Sequence, residues 1–197
     1  MSRTTAGGRG ESSSSTRERI VDAAVTLTGD VGWAQVTMAK LADVVGVSRQ
    51  TVYNEIGTKS RLAEAMILRE LERFLAVVTV AFDAHPDDLI DAIREAARTV
   101  LEHAQDNPLL HAVVSATHGA DTELLPLLTT HADSLLVTAK AVIGERLTAF
   151  DVSLEERRVD AAIDAVVRLV LSHVMQPSGP PDETADAISW IAERVLR

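Results

Sequence analysis

A chain of 197 residues with 46% hydrophobic content can bury a real core, so it is no disordered tail and suits one compact domain or a small domain joined to a larger one. The absence of cysteine excludes disulfides, zinc ribbons and thiol nucleophiles, and fits a reducing compartment. A net charge of −10 excludes coating of nucleic acid by bulk attraction, because phosphate binding needs local positive charge.

The charge is unevenly spread. Residues 1–62 carry eight Lys/Arg against six Asp/Glu, a balance of +2, whereas residues 63–197 carry 11 against 23, a balance of −12. No stretch approaches the roughly 18 uninterrupted apolar residues of a membrane span, and the N-terminus lacks the apolar run of a signal peptide. The expected setting is the cytoplasm, with no membrane partner.

Residues 1–14, MSRTTAGGRGESSS, hold nothing apolar to offset their ordering entropy and read as a flexible arm. Arg3 and Arg9 could enter a minor groove as basic arms do, though a solvated tail is the plainer reading. Beyond residue 14 the apolar positions recur at three and four, with no sustained alternation, so the fold class is all-α with about nine helices. Ser15 with Glu18 forms a capping box that opens a helix over 16–28, with Ile20, Ala23, Ala24 and Leu27 inward and Gly29 and Gly32 ending it. Thr37 caps a second helix over 38–45 and Ser48 a third over 49–56. Thr58 starts a long helix whose apolar face runs from Leu62 to Phe82 until Pro86 stops it. Further helices are expected at about 87–105, 108–118, 122–150 with a break near Pro126, 154–175 and 182–196, the segment QPSGPP at 176–181 being a loop.

The segment LADVVGVSRQTVYNEIGTK at 41–59 meets the needs of a helix-turn-helix. The first helix must be small where the second crosses it, which Ala42 supplies. The turn must tolerate positive φ, which Gly46 supplies, and the second helix must return one apolar residue to the core, which Val52 supplies. Leu41, Val45 and Val47 fill the other inward sites. Arg49, Gln50, Tyr53 and Asn54 then face outward, with Ser48 and Thr51 near the helix N-terminus. These are types that bond base edges and phosphate oxygens.

The stretch from Thr16 to Met66 resembles the DNA-binding domain of the tetracycline-repressor (TetR) family of bacterial transcription regulators. The likeness rests on the Thr37 start, the "LA…GVS" turn, the "TVY" of the recognition helix and Lys59. It implies a homodimer that binds double-stranded operator DNA, with residues 15–58 as the DNA-binding domain and 59–197 as a ligand-binding and dimerisation domain. Thr37, Ser48, Arg49, Gln50, Thr51, Tyr53, Asn54 and Lys59 become candidate DNA contacts, with Tyr53 and Lys59 on phosphates. The family usually shows basic, polar or aromatic residues and a final Phe after the tyrosine, whereas this chain has Asn54, Glu55 and Ile56. Ile56 can replace the aromatic as a core plug. Glu55 is repelled by phosphate and is expected to turn away, so it is not counted as a contact.

Within residues 154–175 and 182–196, apolar side chains occur on more than one helical face and need more than one partner. Ile163, Val166, Val167, Val170, Val174, Ile188, Trp190 and Ile191 are the candidate dimer interface. The helices from 87 to 150 and the end of the long helix are expected to enclose a pocket for a small, largely apolar effector. Its candidate lining is Phe74, Val78, Phe82, Ile93, Ala97, Leu101, Leu110, Val113, Val114, Thr117, Leu128, Leu135 and His173. With 3% aromatic content, a cage of rings for flat cations is not expected. No two of the six histidines stand three or four apart, so no metal and no cofactor is expected. Paired carboxylates, a nucleophile elbow and a phosphate loop are all missing, which argues against an enzyme. A carrier that merely retains a helix-turn-helix core is the other reading. The expected mechanism is a repressor whose effector tilts the long helix and changes the separation of two reading heads. A 100-fold difference in operator affinity between two states needs only about 2.7 kcal/mol of coupling.

Overall fold

The computed structural model describes residues 14–116 and 132–196. Among these residues it holds nine α-helices and no strand. They are α1 (Thr16–Val31), α2 (Met38–Val45), α3 (Arg49–Ile56), α4 (Lys59–Ala84), α5 (Leu89–Gln105), α6 (Pro108–Ala116), α7 (Ala132–Leu147), α8 (Glu156–Met175) and α9 (Pro181–Leu196). A 3-10 turn, Trp33–Gln35, links α1 to the second helix. The expected break near Pro126 and the arm residues Arg3 and Arg9 lie outside the described residues.

Local chemistry sets most boundaries. The Ser15 hydroxyl accepts from the Glu18 N–H at 3.2 Å, and the Glu18 carboxylate accepts from the Ser15 N–H at 2.7 Å. Thr37, Ser48, Thr58 and Asp88 cap α2 to α5 with the first half of that exchange, each side chain accepting from a backbone N–H in the first turn. The expected stop of α1 at residue 28 is corrected, because the helix runs through Gly29 to Val31 and ends on Gly32. A glycine costs about 1 kcal/mol inside a helix, but a Cβ on Gly29 would lie 2.4 Å from the Pro108 Cβ, so the site needs a hydrogen there. The seventh helix ends at Leu147 rather than 150; Phe150 then turns inward and meets Phe82 edge to face at 6.1 Å.

The helices α1 to α3 form a head around Ile20, Ala24, Leu41, Val52 and Trp33. That core also takes Leu62, Ala63 and Met66 from α4 and Leu109 from α6, so it crosses the expected division at residues 58 and 59. With 26 residues, α4 is about 39 Å long. Its far half packs with α5, α8 and α9 around Val78, Phe82, Ile93, Val100 and Ala192. Two smaller clusters join α5 to α9 through Leu101 and Ile188, and α7 to α8 through Leu147, Ile163 and Val167.

Candidate nucleic-acid interface

The turn between α2 and α3 is built on Gly46, whose φ of 74° and ψ of 37° are left-handed. Both the Gly46 and Val47 N–H groups donate to the Ala42 carbonyl at 3.0 Å, which ends α2 in a Schellman-type turn. Ala42 is 2% exposed and Val52 is fully buried, so the close crossing and the inward anchor are both in place. Ile56, 3% exposed, plugs the core where an aromatic was the alternative.

This packing leaves one side of α3 in solvent. Arg49, Gln50, Tyr53 and Asn54 are all exposed, Tyr53 at 53%. The Gln50 amide donates to the Asn54 side-chain carbonyl at 2.9 Å, which aligns two amides one turn apart. The Ser48 hydroxyl accepts from the Thr51 N–H at 3.0 Å and lies 2.8 Å from the Thr51 hydroxyl. Thr37 accepts from the Lys40 N–H at 3.2 Å. The Ser48 and Thr37 hydroxyls therefore also hold helix starts. Neither α2 nor α3 has an acidic residue in its first turn, which keeps both N-termini attractive to anions.

Lys59 stands apart from the α3 face. Its ammonium lies 4.7 Å from the centroid of the buried Trp33 ring, a distance at which cation–π attraction is effective. Two arginines that sequence reasoning did not assign complete the head. Arg17 donates to the Glu55 carbonyl at 2.6 Å and Arg19 to the Val45 carbonyl at 2.7 Å. Each satisfies the carbonyl end of a helix that has no basic residue in its own last turn. The Glu55 side chain is exposed.

Beyond the head, the residues expected to line one pocket separate. Phe74, Val78, Phe82 and Ile93 belong to the main packed cluster, and Ala97 and Leu101 to the cluster with Ile188. Leu101, Leu110 and His173 line an open cleft of about 270 Å³ among α5, α6 and the junction of α8 with α9. Gln105, His111, Met175 and Thr184 also line it, with Pro177 and Gly179 from the loop and Pro181 from the first turn of α9. The loop sequence marked a break in the helices but carried no sign that it walls a cleft. The His173 Nδ1 lies 3.1 Å from the Ser178 hydroxyl. Thr117 and Leu128, and the side chains of Val113, Val114 and Leu135, lie outside the described residues. His103 meets Phe74 edge to face at 4.8 Å, and its Nε2 is buried without a hydrogen-bond partner among the described residues.

The candidate dimer residues also divide. Ile163, Val167 and Ile188 are 7%, 8% and 1% exposed and serve the subunit's own core, which corrects their expected place against a second copy. Val166, Val170 and Val174 are half-buried against the core clusters. Trp190 and Ile191 are exposed, together with Leu171, Met175 and Val195, which were not expected. Among the described residues no group of three potential metal ligands exists, and no helix is long and apolar enough to cross a membrane.

Comparison with known proteins agrees with this geometry. Residues 20–66 match the tetR family of bacterial regulatory proteins, and residues 88–194 match the C-terminal domain of the bacterial tetracyclin repressor. The HTH-type transcriptional regulator AlkX of Mycobacterium tuberculosis is 30% identical over 182 residues, covering 90% of this chain and 85% of the relative. The nucleoid occlusion factor SlmA of Vibrio cholerae is 34% identical over 100 residues, half of each chain. The crystal structure of the TetR family repressor AlkX from Dietzia sp., implicated in biodegradation of n-alkanes, superposes with a TM-score of 0.71 at 28% identity and covers 96% of this chain and 97% of that one. By sequence, fold and exposed recognition face, the chain belongs to the TetR family and is a DNA-binding transcriptional regulator.

Proposed function

We propose that the protein is a homodimeric repressor that reads its operator with the exposed face of α3. The observation that carries the reading is the junction itself: Ala42, Gly46 and Val52 turn Arg49, Gln50, Tyr53 and Asn54 outward together. In the major groove Arg49 suits guanine, and Gln50 and Asn54 suit adenine. Ser48, Thr51 and Thr37 at the helix starts, with Tyr53 and Lys59 flanking, suit phosphates. Residues 15–58 supply the reading surface and residues 59–197 the regulation and dimerisation, a division of labour rather than of packing.

The second copy packs on the outer faces of α8 and α9. Leu171, Met175, Trp190, Ile191 and Val195 are large apolar side chains left in solvent by one subunit. About one helical turn separates Leu171 from Met175 and Ile191 from Val195, so each helix offers a continuous stripe. A face of that kind is normally covered. Two heads joined this way can read successive major grooves about 34 Å apart.

The effector enters the cleft among α5, α6 and the α8–α9 junction. Leu101, Leu110 and Met175 offer it apolar surface, while His111 and His173 offer hydrogen bonds. A small aliphatic molecule with one polar end fits that lining, and the involvement of the Dietzia relative in n-alkane biodegradation points to related chemistry.

The test is DNA binding at two sequences. On a DNA fragment enriched by the purified protein, Arg49→Ala should lose the preference over random DNA, a discrimination of about 1–3 kcal/mol for a bidentate base contact. Unchanged preference in the variant contradicts the reading.

A further inference from the structure

The first turn of α6 meets the head in an apolar contact. Leu109 is 2% exposed within the head's core, and Pro108 lies against Gly29. Beside that contact a polar chain links α1, α4 and Asn107, the residue before α6. Glu70 of α4 is a buried carboxylate, 5% exposed. Its Oε2 accepts from the Asn107 side-chain amide at 2.9 Å, and its Oε1 accepts from Arg73 at 3.0 Å. Arg73 also donates to Asp22 of α1 at 2.7 Å. Asn107, itself 4% exposed, accepts from the Leu110 N–H at 3.0 Å with its other side-chain atom. One side chain thus both starts α6 and ties it to Glu70.

A buried carboxylate is a costly way to fill space, since it must be desolvated and then fully hydrogen-bonded. What it supplies is direction. Apolar surfaces such as the Leu109 contact tolerate sliding, whereas hydrogen bonds weaken steeply once misaligned. Buried polar pairs are known to fix one register among several that packing alone would allow. Here the pair joins the head, through Asp22, to the body, through Asn107.

We propose that Glu70 is a positioning residue for DNA reading, and that the Asn107–Glu70–Arg73–Asp22 clasp holds the head in one orientation on the rest of the chain. The proposal rests on the DNA-binding reading. Asn107 is its adjustable member, because the residue whose N–H it accepts, Leu110, walls the cleft.

The clasp has a reciprocal exchange that tests it. In Glu70→Gln, the amide can satisfy Arg73 or Asn107 but not both, because its NH2 group then faces a second donor. In Asn107→Asp, the cap on α6 survives but two carboxylates face each other. The double exchange, Glu70→Gln with Asn107→Asp, puts the amide on α4 and the carboxylate before α6. The amide oxygen then accepts from Arg73, the amide NH2 donates to the new carboxylate, and that carboxylate still accepts from the Leu110 N–H. Every hydrogen bond is restored, the one between positions 70 and 107 runs in the opposite direction, and the negative charge moves from position 70, where it pairs with Arg73, to position 107. Affinity for a selected operator and for random DNA is measured at about pH 8, well above the range in which free carboxylates titrate. Head position is measured in the same variants as a distance distribution between spin labels at Val44→Cys and Val137→Cys. Both positions are exposed, and the chain has no other cysteine to label. Labelled chains are diluted into unlabelled ones.

Each single variant should lose about tenfold in operator affinity, with random-DNA affinity unchanged and a broadened head-to-body distance. The double variant should recover both. Single variants that match the original protein in both measurements overturn the proposal, as does a double variant no better than the singles. A purely structural role would lower the melting temperature while leaving the distance distribution narrow, and that result also overturns it. Should the single variants fail to fold, Asp22→Asn, at a partly exposed position, decides: the distribution broadens or the proposal falls. If the original protein selects no operator, the DNA reading fails by itself, and the distances still judge the clasp.

Discussion

Ser48 and Thr51 hydrogen-bond each other at the start of α3, while Gln50 and Asn54 do so one turn further along. The proposed reading face is therefore partly ordered by its own side chains, which would lower the entropy lost on binding DNA. Lys59 is held differently, over the Trp33 ring, and its proposed role is to meet phosphate rather than a base edge. Lys59→Ala should weaken binding to all sequences and lower the slope of log affinity against log salt by about one; a salt titration with an unchanged slope would remove Lys59 from the interface. Gly29 makes an opposite kind of demand. Alanine there would gain about 1 kcal/mol of helix propensity, yet its Cβ meets Pro108 at 2.4 Å, and overpacking costs about 1–3 kcal/mol. Gly29→Ala should lower the denaturant midpoint, and a raised midpoint would show that α6 can yield. Ala42, Gly46 and Val52 were legible in the sequence because each answers a requirement set by residues a few positions away. Arg17 and Arg19 were not, because their carbonyl partners lie 38 and 26 residues along the chain.

At the scale of elements, caps placed α2 and α3 in the sequence with the same bounds the structure shows, and Thr58 and Pro86 bracketed α4. The misplacement of α1's end came from treating a glycine as punctuation when its smallness serves a distant helix. Faces were harder to read than lengths. Periodicity showed that α8 and α9 are apolar on more than one side, but not that Ile163, Val167 and Ile188 face inward while Leu171, Met175 and Val195 face out. That choice depends on where α5 and α7 sit, which no local pattern encodes. Trp190, 58% exposed, lies on the outward face of α9. Trp190→Asp should convert the protein to monomers in sedimentation experiments, because a buried unpaired charge costs several kcal/mol; a dimer of unchanged affinity would place the interface elsewhere. On α5, Arg98 hydrogen-bonds Glu95 through two nitrogens and Glu102 through a third. The Arg98 hydrogen bonds hold the Glu95 carboxyl below the usual carboxylate range, although burial pushes it up. A depressed carboxylate contributes stability that is complete above the unfolded-state value of about 4.3 and disappears as pH falls through the folded value. Arg98→Leu should therefore destabilise the protein at neutral pH and flatten its acid-unfolding curve; parallel curves for the two proteins would contradict this.

The whole molecule joins two charge regimes through one long helix. The head, whose residues 15–58 carry four Lys/Arg against five Asp/Glu, shares a core with α4 and α6, and the strongly acidic body supplies the cleft and the outward faces of α8 and α9. Charge and the helix-turn-helix spacing set residues 15–58 apart in the sequence, but they did not show that the core of those residues reaches into α4 and α6. The cleft was not legible, since Pro177 and Gly179 line it from a loop whose sequence only marks a break in the helices. Filling it with Leu110→Trp should abolish retention of co-purified apolar molecules in native mass spectrometry, while the original protein retains them; equal retention would put the effector elsewhere. The most direct trial of the account is footprinting of the purified protein on the DNA fragments it enriches. Two half-sites centred about 34 Å apart on one face of the duplex should be protected, and both should be lost together in Arg49→Ala. A single protected half-site, or protection that survives Arg49→Ala unchanged, would contradict the account.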